Sequence, residues 1–443
     1  MKKKSIIIIA LVSFVLLCGI GVFIYFLTKT DTNEFNNNLF VDGLVLVEKD
    51  GKYGYLNQKG EVVIDFLYDG AESFYNDVAI VKVSGKYFLI NKDGKPINNQ
   101  KYDNLKFDHK GGLYIFMRNT KYGLLSLDGT ILLDAIYDDI GYFSEGVAIV
   151  KNGNKYGFID KKGKQIVECK YNFAFSFSDG YASVVIDNKF GYINKKGELV
   201  IAALYDYAGP FHDGYAIVLI ETAKGPNCKV IDKNGKTIHS DYELIARTKN
   251  CFITKKEDAY YIINKNGNKT FLSTKYENIY VDTTLVNHYL EYFYAEDEDT
   301  FYILDEQGKV VFEATNNGNE VWYLFDIDIS TRNIWFAEYK GNNLTIKTTN
   351  GKTLEYEYSE SVPELFVENE KIILRKHNKF GVIDFNGTTL IGFNYDTITV
   401  TSDGYAIVEV NDKYGVVDLE GNTIIPILYD NIPYRNIPYW GLK

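Results

Sequence analysis

A tyrosine followed by an aspartate recurs along the chain, and regularly spaced carboxylates could serve as acids, bases or nucleophiles. The pairs are Tyr68-Asp69, Tyr102-Asp103, Tyr137-Asp138, Tyr205-Asp206, Tyr395-Asp396 and Tyr429-Asp430. Hydrolysis of a glycosidic bond requires two carboxylates whose different surroundings give them different pKa values. Repeated pairs would share the same surroundings, so we interpret the aspartates as turn caps that bond to their own backbone. The sequence predicts no catalytic residue and no enzymatic activity.

Metal and cofactor motifs are the next candidates. The acidic run Glu296-Asp297-Glu298-Asp299 could hold a cation. It lacks the alternating spacing of a calcium loop, and a solvated turn explains it better. The five histidines form no pair with one another or with a cysteine at the spacing of a metal site. No phosphate-binding loop, dinucleotide fingerprint or serine-nucleophile motif occurs either, so we expect no metal and no cofactor.

Three aromatic residues, Trp322, Tyr323 and Trp335, are candidate ligand-binding residues. They lie where the repeats described below are lengthened, and insertions in repeat proteins often lie on the binding face. Exposed aromatic rings could stack on sugars or anchor a partner protein. The alternative is that the same rings fill the core of an enlarged repeat.

The element that must position these residues is a short segment that the chain repeats. It reads Lys155-Tyr-Gly-Phe-Ile-Asp-Lys-Lys-Gly163 in one copy and Lys189-Phe-Gly-Tyr-Ile-Asn-Lys-Lys-Gly197 in the next. Its last glycine marks eleven copies, at Gly60, Gly94, Gly129, Gly163, Gly197, Gly235, Gly267, Gly308, Gly351, Gly387 and Gly421. A repeat of this length is typical of arrays in which each unit stacks on its neighbours.

Each copy predicts a meander of short strands. In one unit, strands at 180–186, 190–193 and 198–201 are separated by turns at 187–188 and 194–197. The Gly, Asn and Asp residues of these turns tolerate the positive φ that tight hairpins need. Several strands are continuously apolar, which indicates that neighbouring units cover both of their faces.

The glycine of the Lys-aromatic-Gly motif carries a separate prediction. Glycine weakens a strand unless another segment packs closely against it. We therefore expect a close backbone contact at this position. In the second unit Phe88 replaces the glycine, so we expect the contact to be missing there.

These motifs resemble the bacterial WG (or KWG) repeat. The similarity is close in six units, partial in the second and weak from about 224 to 376. The tryptophan that usually precedes the glycine is Tyr or Phe in every copy, an aromatic exchange that leaves the expected fold unchanged. The resemblance implies a β-rich array with a role in interactions, and it supplies no catalytic residues to transfer.

The predicted fold class is all-β, with about eleven antiparallel β-meander repeats. Covered faces favour a β-propeller-like arrangement in one or two rings, and an open β-repeat superhelix is the alternative. The chain begins and ends on partial strands, which would allow the last unit to complete the first. Residues 41–223 and 377–443 are regular repeats, whereas residues 224–376 are degenerate repeats with insertions.

The N-terminus predicts a membrane anchor. Residues 5–28 are uncharged and almost wholly apolar, long enough as a helix to cross a bilayer. Lys2, Lys3 and Lys4 precede this segment, so the positive-inside rule leaves a cytoplasmic stub of residues 1–4 and places the repeats outside. Residues 29–40 form a linker. The alternatives are a cleaved signal peptide and lipoprotein processing at Cys18.

Charge and cysteine content limit the partners. The net charge of −11 would repel a polyanion, which argues against nucleic acid. Cys228 and Cys251 could form a disulfide or remain buried thiols. The sequence thus predicts a membrane-anchored, extracytoplasmic module that binds or scaffolds an envelope protein or glycan. The alternative is an envelope glycan-processing enzyme with its site in the irregular middle repeats.

Overall fold

The protein is built from antiparallel β-sheets that follow one another along the chain. The computed structural model describes residues 38–223, 225–240, 243–247, 251–264, 268–280, 292–297, 300–315, 321–328, 333–340, 343–348, 351–357, 365–368 and 371–434. These residues form eleven sheets of three or four strands, and the described elements are all strands. In every sheet the strands are hydrogen-bonded in chain order. The predicted all-β array of about eleven antiparallel meanders is therefore confirmed.

Each sheet is called a unit here, and the units are numbered in chain order. Units 1 to 4 contain β1 (Leu44–Lys49), β2 (Lys52–Asn57) and β3 (Val62–Tyr68); β4 (Gly70–Ala71), β5 (Val78–Val83) and β6 (Lys86–Asn91); β7 (Asn104–Asp108), β8 (Leu113–Arg118), β9 (Lys121–Leu125) and β10 (Ile131–Tyr137); and β11 (Asp139–Ile140), β12 (Val147–Asn152), β13 (Lys155–Asp160) and β14 (Gln165–Tyr171).

Units 5 to 8 continue this pattern. They contain β15 (Tyr181–Ile186), β16 (Lys189–Asn194) and β17 (Leu199–Tyr205); β18 (Tyr207–Ala208), β19 (Tyr215–Thr222), β20 (Gly225–Asp232) and β21 (Thr237–His239); β22 (Glu243–Arg247), β23 (Cys251–Lys256), β24 (Ala259–Asn264) and β25 (Lys269–Ser273); and β26 (Asn278–Tyr280), β27 (Tyr292–Asp297), β28 (Thr300–Asp305) and β29 (Val310–Thr315).

Units 9 to 11 complete the array. They contain β30 (Val321–Asp328), β31 (Asn333–Lys340), β32 (Asn343–Thr348) and β33 (Thr353–Glu357); β34 (Leu365–Glu368), β35 (Lys371–Lys376), β36 (Lys379–Ile383) and β37 (Thr389–Tyr395); and β38 (Thr397–Val400), β39 (Tyr405–Val410), β40 (Lys413–Asp418) and β41 (Thr423–Tyr429).

Two turns give each unit its shape, and unit 5 shows both. Between β15 and β16, Asp187 and Asn188 adopt φ values of 48° and 65°, as a tight hairpin requires. Between β16 and β17, the side-chain oxygen of Asn194 accepts hydrogen bonds from the N–H groups of Lys196 and Glu198, at 2.9 and 3.1 Å. Gly197 closes this second turn with φ 79°. We call the two ends of the sheets the hairpin end and the closing-turn end.

The hydrophobic core lies between units, as the apolar strands predict. Tyr192 of unit 5 packs against Phe211 of unit 6 with ring centroids 4.7 Å apart, and both side chains are fully buried. Their cluster also contains Ile201 from unit 5 and Val218 from unit 6. A single sheet is too thin to bury such rings, so each unit depends on its neighbour.

The glycine of the Lys-aromatic-Gly motif does lie against another backbone. A Cβ added at Gly191 would meet the carbonyl oxygen of Ile201 and the nitrogen of Ala203 at 2.8 Å. In unit 2, where Phe88 replaces the glycine, β6 pairs with the segment that follows it only through isolated bridges at Tyr87 and Ile90. The predicted close contact at the glycine is confirmed, and in unit 2 isolated bridges replace the continuous strand pairing.

The first and last units are hydrogen-bonded to each other. The N–H of Glu48 in β1 donates to the carbonyl of Asn431 at 2.9 Å. The N–H of Asp430 donates to the carbonyl of Glu48, also at 2.9 Å. Val47 of unit 1 shares a hydrophobic cluster with Val416 of unit 11. The end of the chain thus takes the edge position next to β1.

Two sequence features remain, the apolar N-terminal segment and the cysteines Cys228 and Cys251. The predicted anchor at residues 5–28 lies outside the described residues. Within the described residues, no helix has the length and hydropathy needed to cross a bilayer. Cys228 and Cys251 are free thiols, so they form no bridge with each other. Burial raises the pKa of the Cys228 thiol to about 11.

Candidate functional site

The aspartate of the Tyr-Asp pair lies where one unit passes into the next. Asp206 follows the last residue of β17 in unit 5 and precedes β18 in unit 6. One carboxylate oxygen forms an ion pair with the ammonium of Lys189 in unit 5. The other accepts a hydrogen bond from the N–H of Glu221 in unit 6, at 2.8 Å. A single side chain therefore ties two units together at the hairpin end.

The same arrangement recurs at six junctions. The aspartates are Asp69, Asp103, Asp138, Asp206, Asp396 and Asp430, and their lysine partners, in the same order, are Lys52, Lys86, Lys121, Lys189, Lys379 and Lys413. The backbone N–H donors, again in order, belong to Ser84, Asn119, Gly153, Glu221, Asn411 and Asp50. The structural role predicted for these aspartates is confirmed. The prediction that each caps its own turn is wrong, because the donor lies on the following unit.

These carboxylates are ionised, and both of their oxygens already have hydrogen-bond partners. The hydrogen bond from Lys189 and the backbone N–H of Glu221 lower the pKa of Asp206. In unit 4 an asparagine takes the aspartate's place, and Asn172 still accepts a hydrogen bond from Lys155 at 2.5 Å. A side chain that pairs in the same way at six junctions acts as a structural tie between units.

The closing-turn end has its own ties between units. The ammonium of Lys195 in unit 5 lies 2.8 Å from the carbonyl and 3.1 Å from the carboxylate of Glu145 in unit 4. The Glu145 carboxylate also accepts a hydrogen bond from the N–H of Gly180, at 3.0 Å. The acidic side chains here turn inward to backbone donors. The lysines lie on the turns themselves, and those of units 4 to 6 are exposed: Lys161, Lys162, Lys164, Lys195, Lys196, Lys233 and Lys236.

A surface with mixed chemistry lies at or just after the first strands of units 2 to 4. Tyr142 is 53% exposed, and the ammonium of Lys106 lies 4.4 Å from the centre of its ring. Glu72 has accessible surface, and desolvation by the surrounding protein raises its pKa to about 7. Desolvation also lowers the pKa of Lys106.

Asp108 beside this surface is not available for chemistry. Its carboxylate accepts hydrogen bonds from the N–H groups of Gly111 and Phe143, at 2.7 and 2.6 Å, and the residue is 1% exposed. Asp108 therefore holds the turn at Gly111 and the segment at Phe143 together. The surface can bind polar or aromatic groups.

Exposed aliphatic side chains recur on the last strands of four units. Leu67, Ile136, Leu204 and Leu428 each precede the tyrosine of a Tyr-Asp pair, with exposed fractions of 62, 52, 64 and 61%. Lys170 holds the same position in unit 4 and is also exposed. The sequence analysis made no prediction for these residues, because an apolar side chain in a strand gives no sign of its own exposure.

The predicted ligand-binding residues lie on two paired strands of unit 9. Trp322 and Tyr323 are in β30 and Trp335 is in β31. The backbone register places Tyr323 opposite Ala337 and Trp335 opposite Asp326. Their assignment as a binding site stays a prediction.

Other candidates provide no site. Among the described residues, no three His, Cys, Asp or Glu side chains are grouped as metal ligands. Of the acidic run at 296–299, Asp297 accepts a hydrogen bond from the hydroxyl of Tyr302 at 2.7 Å. A cavity of about 360 Å³ in unit 7 contains Tyr261, whose ring is already covered by the ammonium of Lys269 at 3.8 Å.

Comparison with known families gives a clear result. The family model for the WG containing repeat matches residues 53–87, 122–156, 156–190, 190–221, 380–414 and 414–436. These segments cover units in both regular regions. No curated protein matches the chain.

Solved structures resemble the chain only weakly. A eukaryotic initiation factor is 10% identical, with a TM-score of 0.38 over 79% of this chain and 95% of that one. PorZ, a surface component of the type-IX secretion system of Porphyromonas gingivalis, is 9% identical, with a TM-score of 0.23 over 85% of this chain and 58% of that one. Kluyveromyces lactis Hsv2p is 11% identical, with a TM-score of 0.26 over 70% of this chain and 96% of that one.

Proposed function

Because the chain is a WG-repeat protein, we propose that it is a binding or scaffolding module, tethered to the membrane and exposed on the outer side of the cell envelope. Its partner is an envelope protein or a glycan, and its activity is binding, not catalysis. The proposal starts from the WG-repeat family, because WG repeats form an array of stacked sheets with no catalytic constellation of their own.

The exposed aliphatic side chains carry the proposal. Leu67, Ile136, Leu204 and Leu428 are all more than half exposed, at the same position of four units. A single exposed leucine is ordinary, whereas apolar side chains repeated along one surface favour contact with a partner. Units 11 and 1 are neighbours, so Leu428 and Leu67 occupy adjacent units at that junction. We call these four residues the outer aliphatic row.

The tether rests on the N-terminal sequence. Residues 5–28 are apolar and uncharged, and three lysines precede them. This combination favours a signal anchor with the repeats outside the cytoplasm.

We further propose that the units form one closed, propeller-like ring. Support comes from the bonds between Glu48 and the residues after β41, since they supply unit 1 with the edge partner that it otherwise lacks. The open superhelix differs in shape, so small-angle scattering of the protein in detergent, with the detergent contrast-matched, distinguishes a compact disc from a rod.

Affinity capture from solubilised envelopes tests the function. The full-length protein is compared with a variant carrying Leu67→Ser and Leu428→Ser. A matched control carries Lys170→Ser, which changes the same strand position in unit 4 without removing an apolar group. We expect the double variant to lose most of the captured partner and the control to retain it. Equal capture by all three proteins would exclude the outer aliphatic row as the contact.

A further inference from the structure

The closing-turn end of units 4 to 6 is rich in lysine although the protein as a whole is acidic. The chain carries a net charge of −11, yet three successive closing turns each present exposed lysines. Lys162, Lys196 and Lys236 occupy their tips or the residue just after the glycine. The acidic residues of the same turns, such as Asp160 and Asp232, accept hydrogen bonds from the turns' own N–H groups. Glu198 of unit 5 is exposed and accepts a hydrogen bond from the side-chain amide of Asn194 at 2.7 Å. The exposed lysines of the three turns outnumber it by seven to one.

Aliphatic side chains border these lysines. Leu199 and Val200 follow the closing turn of unit 5 and are 49 and 39% exposed. Val62 and Val63 occupy the same place in unit 1, with exposed fractions of 48 and 44%. Lysines beside exposed aliphatic groups are typical of surfaces that lie on a bilayer, where ammonium groups meet phosphates and apolar groups enter the interface.

The chain enters the array at this same end. The N–H groups of Leu39 and Phe40 donate to the carboxylate of Asp403, at 2.9 and 3.2 Å. Asp403 and Gly404 precede β39 as Glu145 and Gly146 precede β12, and the bond from Lys195 to Glu145 shows that these acid-glycine turns lie beside the closing turns. The N-terminal connection therefore emerges from the lysine-bearing end.

The connection is short. Ten residues, 29–38, separate the apolar segment from Leu39. Even when fully extended they span only about 35 Å. If residues 5–28 are embedded in a bilayer, as the proposed function states, the closing-turn end is the part of the array nearest to that bilayer.

We propose that the closing-turn end of units 4 to 6 rests on the phosphate headgroups of an anionic bilayer, with Lys162, Lys196 and Lys236 as contacts. This inference rests on the proposed tether for its geometry and names the lipid surface as a second partner. The hairpin end and the outer aliphatic row then remain open to other molecules. Attraction between basic groups and anionic lipid is electrostatic, so the contact should weaken as salt is added.

Lysine acylation followed by mass spectrometry tests the contact in the full-length protein. The protein is reconstituted in vesicles of phosphatidylcholine alone or with 30% phosphatidylglycerol, and acylation rates are measured for each lysine. We expect Lys162, Lys196 and Lys236 to react at least threefold more slowly on the anionic vesicles, and to recover in 1 M salt. Lys49, Lys101 and Lys170, which are exposed elsewhere, should react equally on both.

Two variants separate the contact from the tether. One carries Lys162→Glu, Lys196→Glu and Lys236→Glu, and its control carries Lys49→Glu, Lys101→Glu and Lys170→Glu. Flotation with neutral vesicles in 1 M salt measures the tether alone, and both variants should float. In the first variant, Lys161 and Lys195 should be acylated at the same rate on anionic and neutral vesicles. In the control variant, both should still react more slowly on the anionic vesicles.

Equal acylation of the wild-type lysines on both vesicle types, or protection on neutral vesicles alone, overturns the inference even when flotation supports the tether. If the protein fails to float in salt but the lysines are protected on anionic vesicles, the tether is wrong and the contact stands.

Discussion

The carboxylate of Asp430 accepts a hydrogen bond from the N–H of Asp50 at 2.5 Å, although 380 residues separate them. Within the array the equivalent bond, from Glu221 to Asp206, spans 15 residues. The tie that joins successive units therefore also joins the last unit to the first. Units 11 and 1 are not consecutive in the chain, so this junction depends on noncovalent contacts.

We expect Asp430→Ala to loosen this junction. The substitution removes the bond to Asp50 and the ion pair with Lys413, leaving mainly the bonds of Glu48 and the shared hydrophobic cluster. Hydrogen exchange should accelerate at the amide of Glu48. Asp206→Ala is the control, because it should accelerate exchange near Glu221 and leave Glu48 unchanged. If Glu48 exchanges equally in wild type and both variants, the terminal junction does not depend on Asp430.

The junction aspartates predict how stability depends on pH. The ion pair with Lys189 and the backbone bond lower the pKa of Asp206 in the folded protein. A lowered pKa means that the stabilisation is complete above the unfolded value, near pH 4, and is lost as the pH falls through the folded value. Asp206→Asn should therefore lower the melting temperature at pH 7, and the difference from wild type should shrink toward zero at pH 2.

Unit 4 provides the reciprocal test, because Asn172 already holds the junction position there. Asn172→Asp should raise the melting temperature at pH 7 and have little effect at pH 2, measured by circular dichroism. A difference that stays constant from pH 7 to pH 2, for either substitution, would show that the carboxylate charge has no part in the tie.

Local structure was largely predictable from the sequence, whereas the contacts between units were not. The turns at Asp187 and Asn194 follow from residue types that tolerate positive φ or bond to nearby N–H groups, and both are local effects. The partners of Asp206 lie 17 residues before it and 15 after it. A distance along the chain does not reveal which groups meet when one sheet packs on the next.

Side-chain exposure on the last strand of a unit was not predicted. Leu204 lies on β17, the last strand of unit 5, with 64% of its surface exposed. Apolar composition cannot distinguish a strand with covered faces from an outer strand that meets a partner. The outer aliphatic row and the lysines of the closing-turn end became visible only when the sheets were placed.

The buried hydroxyl of Tyr192 is expected to stabilise the contact between units 5 and 6. It donates a hydrogen bond to the carbonyl of Gly209 at 2.6 Å, and the side chain is fully buried. Tyr192→Phe would leave that carbonyl unpaired, at a cost of about 1–3 kcal/mol. Tyr181→Phe, at a half-buried position, should cost less than about 0.5 kcal/mol. Urea unfolding of both variants measures the difference, and equal midpoints would contradict the role of the hydroxyl.

The close backbone contact at Gly191 gives the last prediction. An added Cβ would lie 2.8 Å from main-chain atoms of Ile201 and Ala203, and neither can rotate away as a side chain could. Gly191→Ala must therefore displace β17, the strand that runs into unit 6, and we expect it to destabilise the protein by about 1–3 kcal/mol.

At Gly141 the nearest atom to an added Cβ is the carbonyl oxygen of Ile149 at 3.7 Å, an ordinary contact. Gly141→Ala is thus the matched control and should stay within about 0.5 kcal/mol of wild type. Urea unfolding of both variants measures the difference. If Gly191→Ala is as stable as Gly141→Ala, the close approach of β17 does not require a glycine at position 191.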